Sequence, residues 1–99
     1  MNKITKIGGV RIGTMNATWP FARLIVDSRE LKLITIMGKY VFRKEDIIEI
    51  KNVTYIPIIA QGIKIEHKIP RYNKLIIFWI LSNPQKFMEG IKQKGFMVR

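Results

Sequence analysis

A chain of 99 residues, 47% hydrophobic and 25% charged, can build one core but not two, and its composition excludes a disordered or collagen-like polypeptide. Eighteen Lys and Arg against seven Asp and Glu leave a net charge of +11, a bias toward polyanionic partners, and the lack of cysteine excludes disulfides and thiolate zinc sites. The longest apolar run, Leu75 to Leu81, is far shorter than the roughly 20 residues of a membrane-spanning helix, and no apolar stretch follows Lys6. The sequence therefore predicts neither a transmembrane segment nor an export signal, but a cytoplasmic protein, free or peripheral at a membrane.

The charge is unevenly spread. Residues 1–44 sum to +7, 45–66 to −2 and 67–99 to +6. If the two basic segments converge, the molecule is a dipole that an anionic surface would orient; if they do not, the charge is solvated surface.

Residues 1–8 read as a loosely ordered extension of a single domain. From Val10 onward, short β-branched runs separated by turn residues predict antiparallel β-structure. Phe21–Val26 and Leu31–Met37 flank the polar turn Asp27–Glu30, and Gly38-Lys39 supplies a tight turn before Tyr40–Phe42. Ile48 and Ile50 alternate with Glu49 and Lys51, which puts both isoleucines inside. A bulge at Asn52 would then return Val53 and Tyr55 to the core face. Pro57 and Gly62 bracket a connection to a strand in which Ile63, Ile65 and Ile69 share a face with His67. After the turn Pro70–Lys74, Leu75–Leu81 is apolar on both faces, the pattern of a strand covered on both sides. The last segment alone reads as a helix, about residues 84–94. Ser82 or Asn83 caps it, Pro84 opens it, Phe87 and Ile91 give its apolar stripe, and Gly95 ends it with Phe96 folding back.

Seven short strands and one terminal helix make a mainly β barrel or sandwich closed by a helix. The order of elements, the strand Gly62–His67, the strand Ile77-Phe78-Trp79 and the helix ending at Gly95-Phe96 resemble the small bacterial domains of the pleckstrin-homology (PH/GRAM) superfamily. That resemblance implies a seven-stranded antiparallel barrel of two packed sheets, and a binding module rather than an enzyme. Trp79 lies on the strand before the helix, whereas eukaryotic members carry a Trp within it. Of their phosphoinositide-binding signature Lys6 and Arg11 are present, but Gly13 stands where the second basic residue would fall.

No constellation declares a reaction. His67 is the sole histidine, so no metal site is expected, and Glu66 points to the opposite face of its strand, away from any triad. Glu45-Asp46 reads as turn polarity, Gly8-Gly9 lacks the Lys of a phosphate loop, and no cofactor is expected. The segment 67–74 gathers Lys68, Arg71 and Lys74 around Tyr72: Arg71 can grip a phosphate or carboxylate with two N–H groups, and the lysines act as point charges. Arg11 and Arg23 are further anion-binding candidates. Trp19 and Tyr72 are the aromatic surface candidates, Trp19-Pro20-Phe21 as an interfacial wedge, a base-stacking platform or a barrel cap. The partners that fit are anionic lipid headgroups or an acidic protein surface. A structural or self-associating role through Leu75–Leu81 and Trp19 is the alternative, and nonspecific nucleic-acid binding ranks last.

Overall fold

The computed structural model describes residues 3–55 and 60–99. Seven strands, β1 (Ile4–Ile12), β2 (Met15–Val26), β3 (Glu30–Thr35), β4 (Gly38–Arg43), β5 (Ile47–Tyr55), β6 (Ala60–His67) and β7 (Ile76–Ile80), precede one helix, α1 (Gln85–Gln93). All ladders are antiparallel and form one continuous sheet in the order β4-β3-β2-β1-β7-β6-β5. The edge strands β4 and β5 are nevertheless joined by only a 3-10 turn, Lys44–Asp46. A flat sheet would hold its edges about 29 Å apart, while the four Cα steps from Arg43 to Ile47 reach at most about 15 Å. The sheet must therefore curl, and its concave face holds the core: Val10, Leu24, Leu31, Leu33, Phe42, Ile50, Ile63, Ile65, Ile76 and Phe78 are fully buried.

α1 closes this core with Phe87, Met88 and Ile91. It starts one residue later than the sequence suggests, with Pro84 before the first turn and the Gln85 N–H donated to Asn83 Oδ1 at 2.9 Å. It ends as expected: Gly95 takes φ +95° and Phe96 is buried behind it. Gly90 permits close packing on the sheet, since a Cβ there would stand 2.8 Å from Ile4 Cδ1.

Three local expectations change, and one bulge is new. β1 begins at Ile4, inside the segment that reads as a loose extension, because Ile4 to Gly8 pair in register with Val26 to Ala22. The β3–β4 turn is Ile36-Met37 rather than Gly38-Lys39. The Thr35 hydroxyl accepts the Met37 N–H and donates to the Gly38 carbonyl, closing the turn two residues early and leaving Ile36 72% exposed. The third change is the bulge in β5, which falls at Ile48 rather than Asn52. The register slips between Ile47 and Glu49 and then runs unbroken through Asn52, so Ile47 and Ile50 turn inward and Ile48 outward. Finally, β2 bulges over Thr18–Phe21: Gly8 pairs with Ala22 but Val10 with Ala17, and the Trp19-Pro20 peptide is cis. Pro57 and the Tyr55 side chain lie outside the described residues.

Both faces of β7 are covered as its sequence predicts. Ile76, Phe78 and Ile80 enter the core, while Trp79, 2% exposed, lies on the opposite face against Gly9, where any side chain would overlap its ring. The register of β5 gives a direct test in urea unfolding. Ile50→Ala should cost about 2–5 kcal/mol and Ile48→Ala no more than about 0.5 kcal/mol; equal costs would put the bulge elsewhere.

Candidate functional site

The basic segment between β6 and β7 is held by its own backbone-directed side chains. Asn73 Oδ1 accepts the Leu75 N–H at 2.9 Å, the local turn that Asn favours. His67, 8% exposed, accepts the Ile69 N–H on Nδ1 at 3.0 Å. Only a bare Nδ1 can accept, so the proton sits on Nε2, which donates to the Asn73 carbonyl at 2.9 Å. Both ring nitrogens are thus spent on shaping the connection. Among the described residues no three His, Asp or Glu side chains group as a metal site would require.

Tyr72, an aromatic surface candidate, is half-buried. Its ring meets Tyr40 at 5.0 Å, Phe42 at 5.3 Å and His67 at 6.0 Å between centroids, mostly edge to face, and its hydroxyl accepts the Val41 N–H at 3.1 Å. This ties the connection to the edge strand β4. The guanidinium of Arg71 lies 5.0 Å over the same ring, which orients the charge while leaving it exposed. Lys68 and Lys74 are exposed on the same connection, and none of the three forms an ion pair among the described residues.

The β1–β2 turn docks against this connection. Gly13 adopts φ +61°, donates its N–H to the Leu75 carbonyl at 2.9 Å, and packs so closely that a side chain there would overlap Asn73. Arg11, half-buried, donates from Nε to the Gly13 carbonyl at 2.9 Å and so belongs to this end of the molecule. Arg23 does not join it: Arg23 lies on the convex face of β2, exposed, between Ile7 of β1 and Ile34 of β3. Trp19 sits in the β2 bulge, 46% exposed.

The carboxylates of β5 and β6 are paired with cations. Glu49 pairs with Lys51 and Arg99, and Glu66 with Lys51 and Lys64, at 3.3–3.5 Å on the outer face of β5 and β6. Burial works to raise the Glu49 carboxyl, but hydrogen bonds from Lys51 and Arg99 outweigh it and hold the group below its ordinary value. Two open grooves, about 800 and 1400 Å³, flank α1; Lys6 lines the larger, and none of Arg11, Trp19, Arg23, Lys68, Arg71, Tyr72 and Lys74 lines either.

Two contributors escape sequence reasoning. Asn73 is signalled only by its preference for turns. Lys44 carries no signal, yet its Nζ donates to the Lys94 carbonyl at 2.7 Å, fifty residues away, and sits 5.3 Å over the Phe96 ring, fastening the end of α1 to the β4–β5 corner.

Comparisons with protein-family models, curated proteins and solved structures give no match to this chain.

The connection can be probed by stability. Tyr72→Phe, which strips the hydroxyl from the Val41 N–H, should cost about 0.5–1.5 kcal/mol in denaturant unfolding. His67→Ala should cost more, because the buried Ile69 N–H loses its partner and such an orphan alone costs about 1–3 kcal/mol. A His67→Ala protein as stable as the parent would mean that the ring does not organise the connection.

Proposed function

We propose that the chain is a non-catalytic binding module of pleckstrin-homology-like fold that presents its basic end to an anionic lipid headgroup layer. One observation carries the reading: Lys68, Arg71 and Lys74 stand exposed, without carboxylate partners, on a single connection fixed by His67, Asn73 and Tyr72. The strand order and the C-terminal helix support the fold assignment, in which the β4-β3-β2-β1 and β7-β6-β5 parts of the curled sheet would act as two packed layers. The non-catalytic part rests on His67, whose two nitrogens are both engaged by backbone groups.

A fixed connection suits a phosphate-rich surface because its backbone ordering precedes binding, and Arg71, held over the Tyr72 ring, can offer a planar pair of donors. Nothing in the arrangement selects one headgroup, so the reading is of a general anionic surface. It carries a location with it, cytoplasmic and peripheral; no helix among the described residues is long and apolar enough to cross a membrane.

A second reading, assembly with an acidic protein or another copy, is favoured by the exposed apolar residues Ile7, Ile34 and Ile36. β7 offers it little, with Trp79 buried and its alternate residues in the core. Nucleic acid is the least supported partner, since Tyr72, the ring nearest the cations, is committed to the core cluster.

Co-sedimentation with phosphatidylcholine vesicles, with and without phosphatidylglycerol, tests the reading at low salt and at about 0.15 M, where the Debye length is about 8 Å. The protein should pellet with the anionic vesicles at both salts and resist competition by single-stranded nucleic acid. Lys68→Glu, Arg71→Glu and Lys74→Glu together should abolish pelleting, whereas the charge-matched Arg29→Glu, Lys86→Glu and Lys92→Glu should not. Equal loss in both triples would reduce the effect to net charge and overturn the site.

A further inference from the structure

The convex face of the sheet carries an apolar array that the core does not use. Register aligns Ile7, Arg23, Ile34 and Lys39 in one row across β1, β2, β3 and β4. Phe21 precedes Arg23 by two residues and Ile36 follows Ile34 by two. With Ala22 buried and paired to Thr35, Phe21 and Ile36 flank the last pair of the β2–β3 ladder. Trp19 stands in the adjoining β2 bulge, two residues before Phe21. These side chains are strongly exposed: Ile7 46%, Trp19 46%, Phe21 52%, Ile34 37% and Ile36 72%. Single exposed apolar residues are ordinary, but a contiguous group marks an interaction surface.

We propose that this face and the β2 bulge form an insertion surface that enters the headgroup layer of an anionic bilayer, with Arg23 and Lys39 as its charged members. The proposal rests on the lipid-surface reading above and assigns the side of the molecule that goes in.

Three features select this occupant. The row holds two cations and no carboxylate; of the acids at the far end of β2 and β3, Glu30 is paired with Lys32 at 3.2 Å and Asp27 accepts the N–H groups of Arg29 and Glu30. A second copy would bring two more cations and no carboxylate from its own row to the contact, whereas anionic headgroups complement Arg23 and Lys39. The chemistry also matches the interfacial layer. An aromatic Trp beside aliphatic residues suits the headgroup boundary, and the long stems of Arg and Lys reach from apolar depth to the phosphates. Finally, the array protrudes: none of these residues lines either groove beside α1, and side chains on a convex face need a deformable receptor more than a shaped pocket.

Trp19 is a built-in reporter, since the other tryptophan, Trp79, is only 2% exposed. The full chain is titrated with phosphatidylcholine vesicles containing phosphatidylglycerol, with brominated acyl chains in a parallel series. Trp19 emission should shift to the blue and be quenched by the bromines, and both signals should vanish in Trp19→Phe. Trp19→Ser with Phe21→Ser, both at exposed positions, should keep the parent's melting profile and lose about ten-fold or more in vesicle affinity. Vesicle binding with unchanged Trp19 emission would overturn the insertion while leaving the basic-end reading intact; no vesicle binding at all would remove both. A Trp19 shift with polyglutamate but not with vesicles would assign the face to an acidic protein and overturn the proposal.

Discussion

Closing a curled seven-stranded sheet whose two edges share no ladder is the constraint on which the rest of this molecule depends. The 3-10 turn joins β4 to β5 covalently, but the noncovalent closure falls to the β6–β7 connection. Its Tyr72 hydroxyl takes an edge N–H of β4, and the Lys68 N–H reaches the Asp46 carbonyl at 3.0 Å. One such hydrogen bond contributes about 0.5–1.5 kcal/mol net, and one aromatic pair a similar amount beyond burial. No single contact decides the closure. The cluster of Tyr40, Phe42, His67 and Tyr72 does so together, and each member holds the next in place.

That closure sets the electrostatic layout. A connection that must bend back to β4 presents its intervening residues outward, and in this sequence those residues are Lys68, Arg71 and Lys74. The β1–β2 turn, drawn in by Gly13, brings Arg11 to the same end. On β5 and β6, by contrast, acidic and basic side chains alternate along each strand, and Lys51 pairs with Glu49 on its own strand and diagonally with Glu66 on the next. The other carboxyl with a displaced titration, Asp27, is held below its ordinary value by the N–H groups of Arg29 and Glu30. Its contribution to stability is therefore present above the unfolded-state value and lost as pH falls through the lower folded value. α1 also bears exposed lysines, Lys86 and Lys92, so position rather than charge count distinguishes the basic end.

Much of this architecture was legible where periodicity and punctuation agree. His67 falls on the isoleucine face of β6 as its spacing requires, and the helix lies where Asn83, Pro84 and Gly95 bracket it. Legibility failed where a side chain acts on distant or local backbone. The Thr35 hydroxyl shortens β3, the Ile48 bulge inverts a short stretch of an otherwise regular alternation, and the four-residue bulge in β2 leaves no mark beyond Pro20. For the candidate site, the sequence grouped Lys68, Arg71 and Lys74 simply because they are neighbours. It put Tyr72 at the surface because tyrosine in a turn usually is, and only the β4 edge, thirty-one residues away, explains its burial. Arg23 and Trp19 form a separate face because cross-strand register, which pairs Arg23 with both Ile7 and Ile34, is set by partners that one strand cannot announce.

We propose that one end and one convex face of the sheet, not the helix and its grooves, meet an anionic surface. Amide hydrogen exchange of the full chain with and without phosphatidylglycerol-containing vesicles tests it most directly. Slowed exchange confined to residues 15–23, 34–40 and 68–74, with α1 and β5 unchanged, is the expected result. Protection concentrated on residues 82–94, beside the grooves, would contradict it.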